Sequence, residues 1–191
     1  MTLSRILKLL GVSHGRSPEA GHVASQPWVD IRRLLLSTAP SSLELAPTRE
    51  LPRVWAAVLE HGRQGEGTGA AVAVADGSVS LYSTVGGAIV GAGADPRTRE
   101  VALTFLRTVE ASLDRVPIAV DLPLAGAGEW ALIALTHGGT RHRAARTLDA
   151  VAKADDPLHA AFSSGRELVI AISALDSKAD GDARQSSSSE F

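Results

Sequence analysis

GAAVAVADGSVSLYSTVGGAIVGAGADPRTREVALTFLRTVEASL, residues 69–113, decides the fold. Val72 and Val74, then Val79 and Leu81, alternate with small or polar residues on either side of Asp76-Gly77. That alternation is the period of a half-buried antiparallel pair, and β-branched and aromatic side chains suit its pleated surface. Asp-Gly favours a two-residue type I′ turn, in which both central residues need positive φ. A glycine-rich passage follows, and a helix is predicted to open at Asp95-Pro96. Asp95 can cap the first free amides, and Pro96 loses nothing there by lacking an N–H. Val101, Ala102, Phe105, Leu106, Val109 and Leu113 then recur at three- and four-residue steps. Arg97, Glu100, Arg107, Glu110 and Asp114 fall mostly outside that stripe, so the helix offers one face to a core.

The chain has 191 residues, enough for one domain with extensions. Hydrophobic residues make up 45% and aromatic ones 4%, so the core must be built mainly from Ala, Val, Leu and Ile. A formal net charge of -2 gives no electrostatic reason to expect a nucleic-acid partner. Cysteine is absent, which excludes disulfides, thiolate zinc sites, iron–sulfur clusters and a cysteine nucleophile. No apolar run reaches the roughly 18 residues of a membrane span. The opening MTLSRILKLLG is weakly amphipathic and basic, and Lys8 interrupts its apolar segment, so a short helix is expected rather than a secretory signal. A cytoplasmic protein is the expectation.

Outward from the central stretch, residues 11–26 read as a linker rich in Gly, Ser, His and Pro. A helix is predicted from Pro27 through WVDIRRLLLST, with Trp28, Ile31, Leu34 and Leu35 on one stripe. Residues 37–50 return to loop, and a second helix is predicted from Pro52 through PRVWAAVLEHGR, stopped at Gly62. Beyond the central helix, residues 116–124 form a strand that Pro117 and Pro123 confine to an edge. EWALIALT, residues 129–136, is a strand; His137-Gly138-Gly139 turns it back into residues 140–147. Asp156-Pro157 repeats the helix start, and Leu158, Phe162, Leu168, Val169, Ile172 and Leu175 carry a stripe to about Lys178. Residues 179–191, with their serine run, read as a disordered tail. The organisation is therefore an extension over 1–50, an α/β (α+β) domain over 51–178 and a tail. The domain is a five-stranded antiparallel sheet with helices on both faces.

This element order, with its strand–DG–strand–glycine–helix passage, resembles the roadblock/LC7 (longin-like) family over roughly residues 50–178. The passage DGSVSLYSTVGGAIVGAG also looks like that of bacterial proteins of unassigned role. The roadblock resemblance implies a homodimer paired through the sheet edge and the central helix, acting as a scaffold or regulator of small GTPases. The helix before residue 50 and the long glycine passage depart from that pattern.

Chemistry-bearing patterns are sparse. Gly86, Gly87, Gly91 and Gly93 before a helix suggest a loop that closes on a ligand. The passage has neither the third glycine of GxGxxG nor the lysine of a P-loop, and Asp95 sets a negative charge at the helix start. Histidines 14, 22, 61, 137, 142 and 159 show no metal spacing, and His137-Gly138-Gly139 has no GxSxG elbow to accompany it. No catalytic residue, cofactor or metal site is assigned. Arg141, Arg143 and Arg146 form the densest positive cluster and the first candidate for a protein partner. Interleaved aromatics are missing, which argues against single-stranded nucleic acid. The sequence thus points to a non-enzymatic interaction or regulatory scaffold with a protein partner, a small GTPase by resemblance. The alternative is a small-ligand sensing domain that uses residues 86–93.

Overall fold

The computed structural model describes residues 28–187, with side chains through Leu175. The short helix expected in residues 1–11, the linker at 11–26 and the last four residues lie outside the described residues. The chain is mixed α+β. Helix α1 (Trp28–Ser37) precedes strands β1 (Val54–Arg63), β2 (Gly67–Val74), β3 (Val79–Ser83) and β4 (Ala88–Val90). Helix α2 (Pro96–Ser112), strands β5 (Glu129–Thr136) and β6 (Arg141–Thr147), a one-turn helix α3 (Leu148–Val151) and a long helix α4 (His159–Ser187) complete it. The sheet runs β4-β3-β2-β1-β5-β6, and every neighbouring pair is antiparallel.

Six strands replace the expected five, and the differences have physical causes. PRVWAAVLEHGR, predicted as a helix, is the central strand β1. It is buried on both faces, so its apolar residues do not alternate with polar ones. A short unbroken apolar run looks the same to a helix and to a core strand. Leu59 faces one cluster and Val58 the other; a bulge between Val54 and Ala56 resets the register at the strand's start. Strand β4 lies inside the glycine passage and is only three residues long. The strand expected at 116–124 shrinks to a bridge between Ile118 and His142. There Ala119 N–H donates to Arg141 at 2.9 Å and Arg143 N–H to Pro117 at 2.9 Å, before the chain leaves β6. Pro117 and Pro123 have no N–H with which to extend that ladder. The last helix does not stop near Lys178 but runs to Ser187, through residues that composition assigned to a tail. Its packed first half supplies the nucleus from which the helix continues.

The central hairpin forms, with a different turn. Gly77 N–H donates to Val74 O at 2.8 Å, and Val74 N–H to Ser78 O at 3.0 Å. Among the described non-glycine residues only Glu44 has positive φ, so Asp76 does not, and the loop is three residues with Gly77 at φ 81°. A type I turn followed by a left-handed glycine is the usual three-residue solution. The β5–β6 hairpin repeats it, with Gly139 at φ 81°. Asp95 caps α2 as expected, accepting from Thr98 N–H at 2.7 Å.

Helices cover both faces. α2 and α4 pack with Ala57, Leu59, Ala71, Ala73, Leu132 and Ala134; Phe105 and Phe162 are fully buried between them. α1 and the crossover at Leu122 and Leu124 pack on Val58, Val72, Ile133 and Leu135. Trp28 stacks on Tyr82 with centroids 5.3 Å apart. This second layer holds a buried charge that sequence patterning did not reveal. Glu60 is 0% exposed and accepts from Arg32 Nε at 2.6 Å, Trp28 Nε1 at 3.1 Å and Ala125 N–H at 3.3 Å.

A second carboxylate joins α2 to β1. Glu110 accepts from Arg53 Nε at 2.6 Å and from the Val54 and Arg53 amides at 2.7 and 3.0 Å. Burial pushes its pKa up, but these donors outweigh burial and hold it below the usual carboxylate range. A depressed folded-state pKa means that this stabilisation is complete above the unfolded value, about 4.3, and fades as pH falls through the folded one. Glu110→Gln is therefore expected to cost about 1–3 kcal/mol at neutral pH. Its acid limb should also be flatter than wild type in urea melts taken from neutral pH down to about pH 3.

Candidate functional site

α2 crosses the sheet at the end where β1 starts. Its N-terminus meets the Asp76-Gly77 turn through Arg99, and its C-terminus meets Arg53. α4 crosses beside it and presses closely at Gly165, where an added Cβ would lie 2.8 Å from Leu59 Cδ2 and 2.9 Å from Phe105 Cε2. Two helices side by side leave the far strip of this face uncovered. A groove of about 860 Å³ fills that strip.

Leu59, Leu81, Ile89 and Trp130 form the groove floor, and Val169 and Ser173 of α4 form one wall. The β3–β4 hairpin closes the end with Val85, Gly86, Gly87 and Ala88. The glycine passage is thus divided. Gly86 and Gly87 line the groove, whereas Gly91 and Gly93 stand at the other end of β4 and line nothing there. Gly93 packs where a Cβ would be 2.1 Å from the Gly77 carbonyl oxygen, so its role is close packing against the central turn.

One end of the groove is aromatic, lined by His61 and Trp130. His61 stacks on Trp130 with centroids 4.2 Å apart and planes 11° apart. The Arg166 guanidinium, which is not part of the groove lining, lies 5.8 Å from the Trp130 ring centre. Burial lowers the His61 pKa, and the positive charges of Arg63 and Arg166 lower it further. The Trp130 indole N–H is buried and finds no acceptor among the described residues. Glu66 lines the rim and is paired with Arg63 at 2.7 Å. Sequence reading noted His61 only as one of six histidines. It missed Trp130 and Arg166, which come together only because β1 pairs with β5 beneath α4.

The arginine cluster is split by the pleat. Arg141 and Arg143 pair with Leu135 and Ile133 on the α1 side. Arg146 pairs with Trp130 on the opposite face and donates to Asp156 at 2.8 Å. Arg141 instead borders a smaller cavity of about 340 Å³ with Val29, Arg33 and Leu36 of α1. Among the described residues no group of three or more His, Cys, Asp or Glu side chains is placed to hold a metal ion. No described helix is long and apolar enough to cross a membrane. His142, an unassigned histidine, is buried with Nδ1 2.7 Å from Val116 O, where it ties the crossover to β6. Comparison of the chain with protein-family models, with characterised proteins and with solved structures gives no match.

Proposed function

We propose that this is a non-enzymatic binding domain that senses or holds a ligand in the groove between α4 and the β3–β4 hairpin. One observation carries the reading: a mostly apolar groove of about 860 Å³ beside Gly86 and Gly87, with a few polar groups at one end. That size and that mix of linings are typical of ligand sites. Val169→Trp would fill the groove from its helical wall. It is expected to weaken binding of the neutral apolar dye Nile red by at least about tenfold, read as dye fluorescence. Ile118→Ala, far from the groove and 68% exposed, should leave the dye titration unchanged. Equal dye affinity in wild type and Val169→Trp would remove the groove from the proposal.

A second reading keeps the protein-partner expectation, with a roadblock-like homodimer and a small GTPase as the partner class. Ile118 and Val120, 68% and 83% exposed, lie on the crossover segment that pairs with Arg141 and Arg143 of β6, and they offer apolar side chains on which a second chain could dock. Light scattering separates the two readings: a monomer mass at all concentrations would exclude the homodimer.

A further inference from the structure

We infer that the cavity between α1 and the start of β6 is a second binding site, independent of the groove, for a small soluble phosphate monoester with an apolar organic group. The cavity measures about 340 Å³, the lower end of the range for small-ligand sites. Arg32, Arg33 and Arg141 line it together with Val29, Leu36 and Leu124, and no acid is among its described lining residues. Positions 29, 32, 33 and 36 lie three and four residues apart, so one stripe of α1 brings both of its arginines to the cavity. The three guanidinium groups are unequally committed. Arg32 is fastened to Glu60 at 2.6 Å and donates to the Pro123 carbonyl at 3.2 Å, so it fixes the wall. Arg33 has only Asp30, 3.6 Å away, and the two side chains are 76% and 47% exposed. An ion pair of that kind is worth little and exchanges readily for a better partner. Arg141 has no ion pair among the described residues. Arg33 and Arg141 are both exposed, so a solute in the cavity reaches them directly. Glu60 and Asp30 thus offset Arg32 and Arg33, while Arg141, and Arg143 two residues along the same face, leave a positive surplus. That surplus favours a ligand near -2 over a singly charged one. A phosphate monoester carries about -1.5 to -2 at neutral pH, and its three oxygens match the planar fork of arginine. Val29, Leu36 and Leu124 offer its organic group an apolar wall.

The test is an NMR titration of the whole chain with phenyl phosphate at low salt and about pH 7.5, where the monoester is mostly a dianion. Saturable amide shifts are expected at Val29–Ser37, Leu124 and Arg141. Inorganic phosphate should move the same signals but bind at least about threefold more weakly, for want of a ring against the apolar wall. Phenol, which has the ring without the charge, should leave them in place. Arg33→Gln combined with Arg141→Gln is expected to weaken phenyl phosphate by about tenfold or more. Both side chains are exposed and the Arg32–Glu60 pair is untouched, so the melting temperature of this variant should stay close to wild type. Arg97→Gln with Arg166→Gln removes the same charge from the α2–α4 side and should change nothing. Equal affinity in wild type and the Arg33/Arg141 variant would overturn the inference. So would an equal loss in the Arg97/Arg166 variant, a phenol response as large as that of phenyl phosphate, or inorganic phosphate binding as tightly as the ester. Phosphatidylcholine vesicles containing phosphatidic acid present the same monoester on a bilayer, and no co-sedimentation with them is expected. Retention on those vesicles with no response to phenyl phosphate would overturn the assignment to a soluble ligand.

Discussion

Arg32→Met should destabilise the domain by about 3–5 kcal/mol, the cost of leaving a buried charge without its partner. Arg32 is 8% exposed and Glu60 0%, and α1 is fastened to the sheet through this pair. Methionine replaces much of the arginine stem, so lost packing contributes little. What remains is a carboxylate in an apolar layer with only the Trp28 indole N–H and the Ala125 amide to satisfy it. In thermal melts the loss corresponds to a drop on the order of 10 °C. Arg32→Met combined with Glu60→Leu is expected to recover most of it, because an apolar pair of similar volume carries no desolvation cost. A double variant as unstable as the single one would show that the two groups do not act as a pair.

Phe105→Ala is expected to cost a similar amount, about 3–5 kcal/mol, for a different reason. Phe105 is fully buried where α2, α4 and β1 meet, so its removal leaves a cavity that three rigid elements cannot close. The same contact makes a coupling measurable. In wild type, Gly165→Ala gains up to about 1 kcal/mol of helix propensity but crowds Leu59 and Phe105, a net cost of about 1–2 kcal/mol. With Phe105 already truncated, the added methyl group enters the cavity. The double variant should therefore be more stable than the sum of the single effects by about 1–2 kcal/mol. Strict additivity in urea melts would mean that α4 and α2 do not meet at this point.

Where the chain carries its own local signals, the sequence and the structure agree. Asp95 caps α2, the Phe105–Val109 stripe is buried, and β5 spans Glu129–Thr136 as its composition suggests. Where burial is two-sided, periodicity carries no information, and β1 imitated a helix with Pro52 before it and Gly62 near its end. That error also concealed the groove. Once β1 is a strand, His61 and Trp130 become cross-strand neighbours, and Arg166 reaches them from more than a hundred positions further along the chain than His61. Glu60 was equally invisible, because a lone acid in an apolar run has no pattern until its arginine arrives from α1. The arginine cluster shows the converse. Arg141 and Arg146 are close in sequence, but five steps along a strand place them on opposite faces.

The most direct test of the groove as the binding site is an NMR titration of the backbone amides and indole N–H groups of the intact protein with Nile red. The expected result is shifts at Leu81 and Gly86–Ile89, at Val169–Ser173 and at the Trp130 indole N–H, with α1 residues Trp28–Ser37 unmoved. Shifts confined to α1 and the Arg141 side of the sheet, or a Trp130 indole signal that stays fixed at saturation, would contradict the account.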